Sequence, residues 1–189
     1  MRLRTTRRLL LGLTSSVVLA ACGGGPDDGT AQPTGAAGTS VSATAQPCRT
    51  QPTTTPAPAS VSADLTVAPR VPPADAPPPC GLVLSDVVVG NGPQAVAGST
   101  VAVKYVGAFY ATGEEFDSSW SRGADETLPV TLGAGQVIPG FEQAITGMKV
   151  GGRRMATIPS DLAYGPQGQG PIPGGATLVF ILDLVGVGA

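Results

Sequence analysis

The sequence contains no histidine. That excludes Ser-His-Asp and Cys-His catalysis and every histidine-containing metal site. Cysteine is scarce too: Cys22, Cys48 and Cys80 lie far apart, which argues against a cysteine-only zinc site. Charged residues make up 13% of the chain and the formal net charge is −2. No basic footprint therefore points to nucleic acid. Aromatic residues are 4% of the total, so wherever several of them converge the site is worth inspecting. Helix-favouring periodicity is rare, and no apolar run is long enough for a permanent spanning helix.

Glycine and proline are abundant, at 27 and 19 of 189 residues. This excess is high for a compact fold and indicates that part of the chain does not join one. Twelve of the prolines fall between Gly23 and Pro79, a segment of Gly, Ala, Ser, Thr and Pro with no aromatic residue. Such a composition buries too little apolar surface to offset the entropy of ordering. It predicts a disordered, semi-stiff tether.

The first residues read as an address. Arg2, Arg4, Arg7 and Arg8 precede an apolar run from Leu9 to Ala20, and small residues lead to a cysteine. This is the layout of an export signal. The ending Leu19-Ala-Ala-Cys22 resembles the lipobox of bacterial lipoproteins. The resemblance implies a signal peptide at 1–21, cleavage before Cys22, lipidation of the Cys22 thiol and attachment to a membrane through the acyl chains. An ordinary export signal with an incidental cysteine is the alternative. Gly23 after the cysteine resembles the outer-membrane sorting pattern of organisms with two membranes. Localisation to the bacterial cell envelope follows, as an outer-membrane or periplasmic-face lipoprotein in such organisms. Outside the cytoplasm Cys48 and Cys80 either pair or stay as thiols; the sequence leaves both open.

The texture changes at Cys80. Strand-like runs follow: GLVLSDVVVG, TVAVKYVGAFY, TLPVTLGAG, GGRRMATIPS and ATLVFILDLVGV. In the second, Val101, Val103 and Tyr105 alternate with Ala102, Lys104 and Val106. VIPGFEQAITG is the one helix, with Pro139 suited to its first turn and Gly147 to its stop. Phe141 and Ile145, four apart, share its buried face. The organisation is thus a signal at 1–21, a lipidated Cys22 and disordered linker over 22–80, and one domain over 81–189. The fold class is α+β: about five antiparallel strands and one short helix packed against the sheet, preceded by the Pro/Ser/Thr/Ala-rich tether.

Three stretches then fall into a known order. VKYVGAFYATGEEFDSSWSRG, LGAGQVIPGFEQAITGMKVGGRRMATIPSDLAYG and GPIPGGATLVFILDLVGV resemble, in order and spacing, an FKBP-type peptidyl-prolyl cis/trans isomerase. The resemblance spans about Leu82 to Val187 and implies the FKBP-like fold, a five-stranded antiparallel sheet wrapped around one short helix, with isomerase activity, no cofactor and no metal. It assigns Tyr105, Phe116, Asp117, Ile138 and Tyr164 as catalytic residues. Arg122, Leu128, Val137, Phe141, Ile172 and Phe180 become substrate-binding. The Ile138 N–H and the Tyr164 hydroxyl would donate to substrate carbonyls, and Asp117 would pair with Arg122. Phe141 stands where eukaryotic members usually have tryptophan, and Leu128 where an aromatic is common. The implied partners are X-Pro segments of unfolded or exported proteins, and macrolide inhibitors; the chain reads as a monomer. The alternative function is a non-catalytic prolyl-peptide-binding module or holdase.

Several polar residues read as scaffold. Glu114 and Glu115 are turn charges. Ser118, Ser119 and Ser121 have no base to activate them, so they make local backbone bonds. Arg153 and Arg154 are placed at a turn, solvated or structural. Trp120 is either an exposed anchor for substrate or an ordinary packing residue.

Overall fold

The computed structural model describes residues 51–188. The signal sequence, Cys22 and Cys48 lie outside the described residues. Cys80 is exposed, and its possible partner Cys48 is among those not described.

A single sheet organises the described residues. Its strands are β1 (Thr53–Thr54), β2 (Val83–Val88), β3 (Thr100–Phe109), β4 (Glu115–Ser118), β5 (Leu128–Thr131), β6 (Gly152–Ile158) and β7 (Leu178–Gly188). The order is β1-β2-β6-β7-β3-β4, with β5 also paired to β3. Every pairing is antiparallel except β1 with β2. The five strands expected from the sequence are all present. The two additions are short: β1 within the proline-rich segment, and β4 in the polar stretch before Trp120.

Strand β7 is the centre. Leu178 to Leu184 are buried without interruption, because both faces of the strand are covered. A half-solvated strand would alternate instead. One face meets helix α1 (Pro139–Ile145). Proline occupies the first turn, and Gly140, Phe141, Ala144 and Ile145 turn inward, as the spacing predicts. So short a helix is stable only through packing. Arg154 helps hold it, donating to the Ala144 carbonyl at 2.9 Å while its Nε donates to Asp86 Oδ1 at 2.6 Å. The main core lies between helix and sheet and includes Val101, Val103, Ile145, Ile158, Leu182 and Leu184.

The other face differs from expectation. The segment placed in a disordered tether is, from residue 51 to 80, packed on the sheet. Val61 and Val71 are buried with Val106, Ala108, Val179 and Ile181 in a second apolar cluster. Arg153, read as lying at a turn, is on β6 and fully buried. Its Nε and Nη2 donate to the two Asp183 oxygens at 2.6 and 2.7 Å. The same guanidinium donates to the Ser62, Asp64 and Val67 carbonyls at 2.8, 3.0 and 3.2 Å. All five guanidinium N–H groups thus have acceptors. Composition missed this because the segment is held mostly by its carbonyls, which every residue has. Its prolines also leave less chain entropy to lose on ordering.

Candidate functional site

The site starts from strand alternation. On β3, Val103 and Tyr105 face the helix side, and Val106 and Ala108 the opposite cluster. On β7, Phe180 and Leu182 face the helix side while Val179 and Ile181 face away. Tyr105 and Phe180 therefore sit beside Phe141 from α1. Their ring centroids are 5.9 Å (Tyr105–Phe141) and 5.3 Å (Phe141–Phe180) apart, close to perpendicular in both pairs. Edge-to-face pairs of this kind are favoured by the ring quadrupole.

Phe116 joins through an irregularity. Asp117 pairs with Gly107 and Glu115 with Ala108, so the register shifts between them and Phe116 is the extra residue. A bulge re-aims a side chain. The Phe116 ring lies 5.7 Å from Phe180 and 5.2 Å from Phe109. Gly107 makes room for this: a Cβ there would stand 2.8 Å from the Phe180 ring and 2.9 Å from that of Phe116. Neither Gly107 nor Phe109 was singled out by the sequence reading. The available signal was a glycine inside an otherwise β-branched and aromatic strand. Gly107→Ala is expected to push Phe116 and Phe180 apart and lower turnover at this site about tenfold, while thermal unfolding remains cooperative; steady-state kinetics check it.

These rings border a cavity of about 570 Å³. Tyr105, Phe116, Asp117, Leu128, Val137, Ile138, Phe141, Tyr164 and Phe180 all line it. Nine of the eleven residues assigned from the sequence thus come together. The other two do not reach the wall. Ile172 is buried in the main core, and Arg122 stands behind Asp117. Gln136, Ala163, Gly168 and Gln169 line the cavity in addition, all on loops whose approach depends on tertiary packing.

The polar edge is a closed network. The Tyr105 hydroxyl donates to Asp117 Oδ2 at 2.5 Å. Arg122 donates to Asp117 Oδ1 at 2.7 Å and to the Tyr105 oxygen at 2.9 Å. Burial works to raise the Asp117 pKa, but the bonds from Tyr105 and Arg122 and the Arg122 charge outweigh it and hold the carboxyl below its ordinary value. Tyr105 is raised, first by burial and then by its bond to Asp117. Tyr164 is raised by burial and by the Asp117 charge. Both phenols therefore stay protonated around neutrality, and Asp117 stays ionised. The Asp117–Arg122 pair is about half exposed, at 47% for each side chain. As an ion pair it contributes little to stability; what it does is fix the Tyr105 ring.

Ile138 is the N-cap residue of α1. Its N–H precedes the intrahelical ladder, where a helix leaves its donors without partners. Among the described residues neither this N–H nor the Tyr164 hydroxyl finds a protein acceptor. The serines are scaffold, as expected. Ser119 Oγ accepts the Tyr105 N–H at 2.9 Å, and Ser118 Oγ accepts the Trp120 N–H at 3.1 Å. Trp120 lies away from the cavity. It packs against the Val61–Val71 cluster, with the Lys104 ammonium 4.4 Å from its ring centroid.

The architecture and the site recur in known proteins. The sequence profile of the FKBP-type peptidyl-prolyl cis-trans isomerases matches residues 92–185. An FK506-binding protein of Streptomyces anulatus is 54% identical over 112 residues, which cover 58% of this chain and 89% of that one. An FK506-binding protein of Neisseria meningitidis serogroup B is 44% identical over 108 residues, covering 57% and 96%. Among solved structures, AtFKBP13 superposes with a TM-score of 0.53 at 37% identity, covering 59% of this chain and 96% of that one. FkpA from Escherichia coli gives 0.52 at 39%, covering 57% and 48%. The chain belongs to the FKBP-type peptidyl-prolyl cis-trans isomerase family and is an enzyme of that kind.

Proposed function

We propose that the cavity binds X-Pro segments of unfolded, exported proteins and accelerates their cis/trans rotation without a covalent intermediate. The observation that carries this reading is an aromatic cavity edged by two unengaged donors, with its one carboxylate already bonded to Tyr105 and Arg122. Rotation about X-Pro needs no nucleophile. Its barrier, about 18–20 kcal/mol, is the loss of amide resonance as the C–N bond twists. A twisted amide is less polar than a planar one, so the walls of Phe116, Phe141 and Phe180 favour it over the ground state. That is catalysis by differential binding. The Ile138 N–H and the Tyr164 hydroxyl are placed to donate to substrate carbonyls, the first from the end of a helix. Asp117 acts by orienting Tyr105. The substrate class fits the export signal and the lipidated Cys22 inferred from the sequence, since slow X-Pro isomerisation limits folding outside the cytoplasm as well as within it. Macrolides that present a prolyl-like ring are the expected competitive ligands.

The test is turnover of X-Pro peptides by the purified protein and its suppression by a macrolide such as rapamycin. Substitution of Cys22 should leave turnover intact and release the protein from membranes. A pH profile adds an independent check. Asp117, with a lowered pKa, changes charge only in acid, below the ordinary carboxylate range. Tyr105 and Tyr164, with raised values, ionise only above the ordinary phenol range. The value of kcat/KM should therefore be flat from about pH 5 to about pH 9. Stability linked to Asp117 is present above its unfolded pKa of about 3.9 and is lost as pH falls through the lower folded value. A bell centred near pH 7 would require a titrating base that this site does not have.

A further inference from the structure

The segment on the outer face of the sheet touches more than the sheet. From Ser62 to Val67 it forms a preshaped carbonyl cradle. Asp64 Oδ1 accepts from the Thr66 N–H and hydroxyl at 2.9 and 2.7 Å, and Ser62 Oγ accepts the Asp64 N–H at 3.1 Å. The carbonyls of Ser62, Asp64 and Val67 converge on the buried Arg153. Beyond the cradle the chain crosses the turn between β3 and β4. The Ala74 N–H donates to the Tyr110 carbonyl at 3.2 Å. At Gly113 (φ +68) a Cβ would lie 2.6 Å from the Val71 carbonyl oxygen and 3.1 Å from the Pro73 nitrogen. This turn leads directly into Glu115, Phe116 and Asp117.

We propose that residues 61–74 form a positioning strap. Clamped by Arg153 and pinned by Val61 and Val71, the strap holds the β3–β4 turn, and through it Phe116 and Asp117, in the cavity wall. The match to the family begins at residue 92, so the strap lies outside the matched region. The bulge at Phe116 makes external support useful: an unpaired residue next to a turn lacks the ladder bonds that would fix it. Arg153 and Asp183 carry the same strap on β6 and β7, and on β7 the side chains of Ile181 and Val179 beneath it alternate with Phe180 at the cavity. Activity here depends on ring placement, and small misplacements are costly.

This inference rests on the isomerase reading, so its test includes a readout independent of turnover. The experiment uses the full chain with Val71→Asp and, separately, Val61→Asp. Trp120 is the only tryptophan and packs against the cluster that holds both valines, so its emission reports release of the strap. Amide hydrogen exchange across residues 110–118 reports the turn. Release of the strap should shift Trp120 emission to the red and raise exchange at Phe116 and Asp117. It should lower kcat/KM about tenfold, with the larger effect from Val71→Asp. If Val71→Asp unfolds the domain, Val71→Ala is judged by the same readouts. A red shift with unchanged exchange and unchanged kcat/KM would overturn the positioning role. A strap that stays docked in every variant would overturn the assignment of Val61 and Val71 as its pins. A wild-type protein without turnover would count against the isomerase reading, while exchange at Phe116 and Asp117 would still decide the strap.

Discussion

Phe116→Ala should lower kcat/KM for X-Pro peptides roughly 10- to 100-fold, equivalent to about 1.4–2.7 kcal/mol of transition-state stabilisation. Phe116 is only half-buried, in contact with Phe109 and Phe180. Its loss opens one wall of the cavity to water and removes apolar contact where the twisting amide would lie. On the proposed mechanism, which favours a less polar geometry, wetting the site weakens every contribution together. The domain should stay folded, since Phe116 packs only at the margin of the main core and a partly buried ring contributes less than a fully buried one. The split between constants is informative. If Phe116 acts mainly on the twisted state, kcat falls and KM changes little. If it only grips the peptide, KM rises alone. Steady-state kinetics with circular dichroism as the folding control decide this.

Phe141→Ala should act on stability instead. Phe141 is 3% exposed, lies in the main core, and meets Tyr105 and Phe180 edge-on. Truncating a buried phenylalanine costs about 3–5 kcal/mol, a large share of the roughly 5–15 kcal/mol that holds a domain of this size. The urea midpoint should fall accordingly. Phe141→Leu, which keeps most of the volume, should cost much less. The contrast with Phe116 follows from placement: one ring closes the floor of the cavity and also anchors α1, while the other closes only a wall. Loss of turnover in Phe141→Ala is therefore interpretable only where the variant is still folded.

The sequence made the long elements legible. Alternation over Val101, Val103 and Tyr105 located β3, and Pro139 with the Phe141–Ile145 spacing located α1 and its buried face. The motif order supplied most of the cavity, because its residues lie on or beside those elements. What stayed hidden shares one physical cause: contacts between residues far apart in the chain. Arg153 reaches partners 86 to 91 positions away, through carbonyls that carry no side-chain signature. The strap thus read as a mobile tether. Ile172 lies in the loop expected to line the cavity but turns into the core, and Gln136 and Gln169 line it from loops with no periodic signal. Gly107 matters for what it lacks, which only the positions of Phe116 and Phe180 make visible. The stretch of acids beside serines from Glu114 to Ser121 supplies a ring to the cavity wall, a carboxylate bonded to Tyr105 and Arg122, and backbone-bonded serines.

The most direct test of the account is the exchange rate between cis and trans forms of an X-Pro peptide, measured by nuclear magnetic resonance without a coupling protease. Catalysed exchange is expected in wild type, reduced in Phe116→Ala and suppressed by rapamycin. Peptide binding without faster exchange would contradict it and leave a prolyl-binding module in place of an isomerase.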